Sequence, residues 1–178
     1  MHSMYYVALL CPQEIDKKVL EYKRWMKDHF GCTAALKSPA HITLIPPFWL
    51  DEEKEATLHQ TIKTFTSDIG SLQIELINFS HFNKRTLYVL VKDQPDLEKL
   101  KQQAESHFIR SLPGIVKKSD RPFHPHITIA TRDLKPSDFI KSWEHFSKVM
   151  FTETFFAQSI SLLKLGKGNW KVIEQLKW

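Results

Sequence analysis

Two short stretches of this chain carry the residue types needed for proton transfer at neutral pH. One is Pro39-Ala40-His41-Ile42-Thr43-Leu44-Ile45-Pro46 and the other is Phe123-His124-Pro125-His126-Ile127-Thr128-Ile129-Ala130. Each sets His-x-Thr-x in a brief apolar run behind a proline, and a run this short and rich in Ile and Leu predicts a strand. Side chains alternate across a strand. His41 and Thr43 therefore share one face against Ile42 and Leu44, and His126 and Thr128 share one against Ile127 and Ile129. Side by side, the two strands would surround one small volume with two imidazoles and two hydroxyls.

An imidazole titrates near neutral pH, so it can take or give a proton. Two of them on opposite sides of a phosphorus serve an in-line displacement, one deprotonating the attacking oxygen and the other protonating the leaving oxygen. Two hydroxyls can donate to the non-bridging oxygens, where charge builds up. Such a reaction needs no metal and no cofactor when the substrate holds its own nucleophile or a strained leaving group. A lone His-x-Thr on a strand is commonplace, because Thr is a good strand former. The pair carries the argument: the copies lie 85 residues apart (126 − 41) in a chain of 178, close to half its length, as an internal duplication would place them.

The residues leave two other readings open. His124 and His126 lie at the strand period, as metal ligands do, although no acidic or cysteine ligand stands nearby and the first copy has Pro39 where His124 would match. A non-enzymatic nucleotide- or RNA-binding module could also keep the cleft, although all four motif positions are intact.

The motifs His41-Ile42-Thr43-Leu44 and His126-Ile127-Thr128-Ile129, with Pro39 and Pro125 before them, resemble those of the two-histidine (2H) phosphoesterase superfamily, of the 2′-5′ RNA ligase or cyclic phosphodiesterase type. The resemblance covers essentially the whole chain. It implies an α+β, bilobal fold with two pseudo-symmetric β-α-β-α-β lobes whose antiparallel sheets line a central cleft. It also implies metal-independent cleavage of 2′,3′-cyclic or 2′-5′ phosphodiesters, with possible reversal as a ligase. RNA or a nucleotide is the implied partner. On this analogy His126 is the base that activates water, His41 the acid to the leaving oxygen, and Thr43 and Thr128 hold the phosphate. The segment after the first motif lies at the cleft in the family, so Phe48 or Trp49 would stack on a base. Family members carry a basic residue just after the second motif, and Arg132 is offset by one from that place.

Composition bounds the rest. A chain of 178 residues with 42% hydrophobic content is expected to be one globular domain, 1–178, with lobes from roughly 1–93 and 94–178. Net charge is +5 and lopsided. Residues 1–93 hold 11 Lys/Arg and 11 Asp/Glu, net 0, and residues 94–178 hold 14 and 9, net +5, a bias compatible with a polyanionic partner. Cys11 and Cys32 are too few for a disulfide framework. Nothing before Met4 resembles a signal peptide, no apolar run approaches membrane-spanning length, and no obligate protein partner is evident. A cytoplasmic monomer is the expectation.

The elements that must position the motifs follow in order. Met4 to Leu10 reads as a strand, and Glu14 to Phe30 as a helix with Ile15, Val19, Tyr22, Met26 and Phe30 on one face and Gly31 ending it. His29 in its last turn is structural or idle. Pro46-Pro47-Phe48-Trp49 should stop the first motif strand. Asp51 caps a helix buried through Leu58, Ile62 and Phe65, with His59 exposed. Leu72 to Phe79 and Thr86 to Val91 read as strands around a turn at Asn83, where Lys84 and Arg85 either keep the tip soluble or reach substrate phosphates. Pro95 opens a helix buried through Leu97, Leu100, Ala104 and Phe108. The polar loop of Lys117, Lys118 and Arg121 leads into the second motif and should lie at the cleft mouth. A last helix from Pro136 faces Phe139, Trp143 and Phe146 inward. Ser159 to Leu165 and Trp170 to Trp178 close the chain as a hairpin, with Trp170, Val172, Leu176 and Trp178 on one face.

Overall fold

The computed structural model describes all 178 residues. Strands β1 (His2–Leu10) and β2 (His41–Asp51) flank helix α1 (Gln13–Phe30), and α2 (Glu55–Lys63) follows. Strands β3 (Leu72–Phe82) and β4 (Thr86–Val91) form a hairpin; α3 (Pro95–Ser111), β5 (His126–Ala130) and α4 (Pro136–Phe146) come next. The chain ends in β6 (Thr152–Ala157), β7 (Ser159–Gly166) and β8 (Asn169–Lys177).

The fold is bilobal and α+β, with two four-stranded antiparallel sheets in the orders β2-β1-β7-β8 and β5-β4-β3-β6. The lobes do not follow the two halves of the sequence. The β3–β4 hairpin, from the first half, pairs with β5 and β6, while β7–β8 crosses back to complete the sheet of β1 and β2. The helices exchange as well: α1 joins two strands of the first sheet but packs on β5, and α3 joins two strands of the second but packs on β2. One cluster of 41 buried side chains runs through both lobes.

Local chemistry explains the elements. Gly31 ends α1 with φ 71°, returning its N–H to Lys27 O at 2.8 Å. At the β3–β4 turn, Asn83 and Lys84 have φ of 48° and 54°, and at the β7–β8 turn Lys167 and Gly168 have 49° and 85°. Paired positive φ values match the right-handed strand twist of tight hairpins.

Four expectations are corrected. Pro46 and Pro47 do not stop β2: the ladder to β1 resumes beyond them, with Ile45 opposite Val7 and Phe48 opposite Tyr5. Two residues oppose one at that point, a bulge on an outer strand, where a missing N–H breaks no ladder. In β8 a second bulge, between Glu174 opposite Leu162 and Val172 opposite Leu163, sends Trp170 and Val172 to one face and Leu176 to the other. β6, read as no element, pairs with β3 from Leu72–Ala157 to Ile77–Thr152. His59 is not free, because Glu174 of β8 accepts its ring at 2.9 Å. No helix is long and apolar enough to cross a membrane.

Candidate active site

β2 and β5 are the outer strands of their sheets and meet between the lobes. Pairing with the neighbouring strand sets His41 opposite Leu10 and Thr43 opposite Ala8, and likewise His126 opposite Leu90 and Thr128 opposite Tyr88. Ile42, Leu44, Ile127 and Ile129 are buried in the core behind them, so alternation leaves both His-x-Thr pairs on the other face.

The two imidazoles are held by the same bond. His41 Nδ1 lies 2.7 Å from the carbonyl of Pro39, and His126 Nδ1 lies 2.7 Å from the carbonyl of His124. A carbonyl can only accept, so each Nδ1 carries the proton and each Nε2 is left with a free lone pair. A tyrosine from the adjacent strand supports each ring: Tyr6 on His41 at 4.9 Å between centroids and Tyr88 on His126 at 5.1 Å. Phe82 meets His126 edge-on at 5.0 Å, and Trp170 packs edge-on against Tyr6 at 4.5 Å. Sequence reading did not single out Tyr6, Tyr88 or Phe82 for the site. Their signal was the strand period, which puts them on the same sheet face as the motif residues, Tyr6 and Tyr88 one strand away and Phe82 two.

Burial sets the charge state. Desolvation pushes His41 down from 6.5 to about 4, opposed by the Pro39 carbonyl and aided by the charges of Lys23 and His126. Desolvation also lowers His126, opposed by the His124 carbonyl. Both rings are therefore held towards the neutral form, able to accept a proton, and a phosphate anion beside them would favour charging one of them.

A cleft of about 830 Å³ opens beside the motifs. Thr43 and His126 belong to its wall, together with Phe82, Asn83, Gln102 and Phe123; His41 and Thr128 lie just outside it, half-buried. Lys118 and Arg121 line the cleft, and Lys117 does not. Lys84 and Arg85 are exposed at the hairpin tip and the wall takes their neighbours Asn83 and Thr86. Phe48 is buried against Tyr5, with ring centroids 6.1 Å apart, and has no face for a base. Trp49 is 59% exposed, but eight residues beyond His41 puts it on the order of 20 Å along the strand, too far for the base of a nucleotide held at the histidines. Arg132 is exposed outside the wall with φ 53°, and the next residue is the anchored one: the Asp133 carboxylate accepts from Thr33 N at 2.7 Å and Ala34 N at 2.9 Å. No group of three or more His, Cys, Asp or Glu side chains converges to hold a metal ion, so His124 and His126 stand without further ligands.

Two antiparallel lobes around a cleft, each contributing one His-x-Thr strand, define a two-histidine phosphoesterase fold. The chain belongs to the 2′-5′ RNA ligase superfamily, whose family model matches residues 12–169. It is 26% identical over 176 residues to a phosphoesterase candidate from Geobacillus kaustophilus, covering 96% of this chain and 93% of that one. Its fold matches E. coli LigT complexed with 3′-AMP at a TM-score of 0.69 and 20% identity, covering 99% of this chain and 98% of LigT. It also matches a protein of Thermus thermophilus at a TM-score of 0.68 and 16% identity, covering 98% of this chain and 97% of that one.

Proposed function

We propose that this protein is a metal-independent phosphodiesterase that hydrolyses 2′,3′-cyclic phosphates, on RNA ends or cyclic nucleotides, or 2′-5′ linkages. The observation that carries the reading is the equivalent hold on His41 and His126, which leaves one free Nε2 on each of two facing strands. One Nε2 takes a proton from water as its oxygen bonds to phosphorus. The other, protonated, gives its proton to the ribose oxygen as the P–O bond breaks, leaving a phosphomonoester and a free hydroxyl. Thr43 and Thr128 donate to the non-bridging oxygens during the step. With the 5′-hydroxyl of a second RNA end attacking a 2′,3′-cyclic phosphate in place of water, the same pair would form a 2′-5′ linkage as the bond from phosphorus to the 3′ oxygen breaks and that oxygen takes the proton.

The burial of His41 bears on the division of roles. An imidazole lowered to about 4 rests uncharged and must acquire a proton before it can donate one. Desolvation lowers His126 as well, so the same requirement falls on whichever ring acts as the acid, and the pH–rate profile decides between the two assignments. E. coli LigT, which shares the fold, has been crystallised with 3′-AMP, NADP⁺, ATP and phosphate, ligands that share a phosphate group.

The test is turnover by purified protein of 2′,3′-cyclic nucleotides, 2′-5′-linked oligonucleotides and RNA ends carrying a cyclic phosphate, all in EDTA. Hydrolysis of at least one class, lost in His41→Ala and His126→Ala, is expected. Binding of these ligands with no turnover would make the chain a binding module, and turnover restored only by Zn²⁺ or Mn²⁺ would overturn the metal-free route.

A further inference from the structure

The two half-sites share a geometry but not their surroundings. Behind His41 the segment Ser38-Pro39-Ala40 is gripped from α1 and from the end of β1. Lys23 Nζ donates to Ser38 O at 3.0 Å, Asp16 Oδ1 accepts from Ala40 N at 2.6 Å, and Cys11 N donates to Ala40 O at 3.0 Å. Pro39, in the middle of this grip, supplies the carbonyl that holds the His41 ring. Lys23 is 3% exposed and has no carboxylate within ion-pairing distance, an uncommon state for a lysine. Ahead of β5, α3 holds only the loop further back, where Glu105 accepts from Ser119 N at 3.1 Å, seven residues before His126 (126 − 119). There the buried lysine, Lys101, is paired to that same Glu105 at 2.6 Å. The first half-site thus has an unpaired ammonium near its histidine, whereas the buried lysine of α3 is neutralised by Glu105 in the wall of the cleft.

We infer that Lys23 is the positioning residue of the first half-site: it anchors the segment that orients His41 and sets a fixed positive charge behind the imidazole, making the two histidines unequal. The inference rests on the proposed role of His41.

The charged and titratable groups facing His41 are few. From α1 come Lys23 and Asp16, from β1 Tyr6 and from β5 His126, with Cys11 of the link after β1 beside Lys23. Burial pushes the Tyr6 hydroxyl up beyond its ordinary range and the Cys11 thiol up to about 12, so both stay neutral. Lys23 pulls His41 down more than Asp16 pulls it up. Desolvation brings Lys23 itself down to about 8, so it is charged throughout the range in which His41 titrates.

The experiment is an NMR titration of the His41 and His126 rings, without substrate, in wild type, Lys23→Met and Lys23→Arg, alongside pH–rate profiles of the same proteins. In Lys23→Met the His41 midpoint should rise by roughly one pH unit while His126 stays in place. The limb of the rate profile that belongs to His41 should rise with it, kcat should fall with KM little changed, and Lys23→Arg should restore the wild-type profile. Whether the acid or the alkaline limb moves then assigns His41 as base or acid. An unmoved His41 midpoint in a folded Lys23→Met overturns the inference, as does a loss of stability with kcat and both limbs unchanged. Should Lys23→Met fail to fold, Lys23→Gln, which removes the charge and keeps a donor towards the Ser38 carbonyl, decides by the same readout: an unmoved His41 midpoint sinks the idea. A protein inert towards every phosphodiester would overturn the proposed function and leave the substrate-free titration standing. An active enzyme with an unmoved His41 would overturn this inference alone.

Discussion

The Asp133 carboxylate accepts the backbone N–H of Thr33 at 2.7 Å across 100 residues of sequence. This bond joins the turn that follows the second motif to the turn that precedes the first. Because Ala34 N shares the same oxygen, Asp133 caps the 3₁₀ turn Ala34–Lys37 from the opposite half of the chain. Arg132, in the left-handed region beside it, belongs to the bend that delivers the carboxylate. Asp133→Ala should cost about 0.5–2 kcal/mol, the usual value of a lost cap, and should slow turnover by more than the stability loss accounts for. Denaturation curves and kcat on one preparation check this; a stability loss with unchanged kcat would make the clasp purely structural.

Thr43→Val and Thr128→Val should each lower kcat by about 10²–10³-fold, equivalent to about 2.7–4 kcal/mol, the value of one donor to a developing oxyanion. Val keeps the strand shape and removes only the hydroxyl, so thermal melting should barely change. Full activity in either variant would show that threonine is there as a strand former.

His126→Ala should lose roughly a hundred-fold or more of activity, whereas His124→Ala should stay within a few-fold of wild type. The His124 ring is exposed, and what His126 uses is the His124 carbonyl, which the substitution leaves in place. Parallel rate measurements decide it, and a dead His124→Ala would give that side chain a direct part in the reaction.

Folding stability should depend on pH through His41. Its folded value, about 4, is depressed below the ordinary 6.5, so the unfolded chain binds the proton first as pH falls. The contribution is complete above 6.5 and is lost as pH drops towards 4. Urea unfolding at pH 7 and pH 4.5 should show a smaller pH difference for His41→Ala than for wild type. An equal difference would mean that His41 is not protonated more readily in the unfolded chain.

What the sequence determined by itself was local. The repeated His-x-Thr, the apolar faces of α1 and α3 and the turn at Asn83 depend on residues within a few positions of one another, and periodicity exposes them. The strands of His41 and Thr43 and of His126 and Thr128, and the sharing of a face within each pair, were legible for that reason. Tertiary structure decided which strands share a sheet, because strand pairing joins distant segments: β3–β4 went to β5 and β7–β8 returned to β1. It decided that Pro46 and Pro47 bulge rather than end β2, since only an outer strand tolerates them. It also turned Phe48 inward and brought Asp133 to Thr33. And it made the two half-sites unequal, because the charge of an imidazole depends on burial and on neighbours such as Lys23, which lies 18 residues away in sequence (41 − 23) and reaches the His41 segment only once α1 has packed.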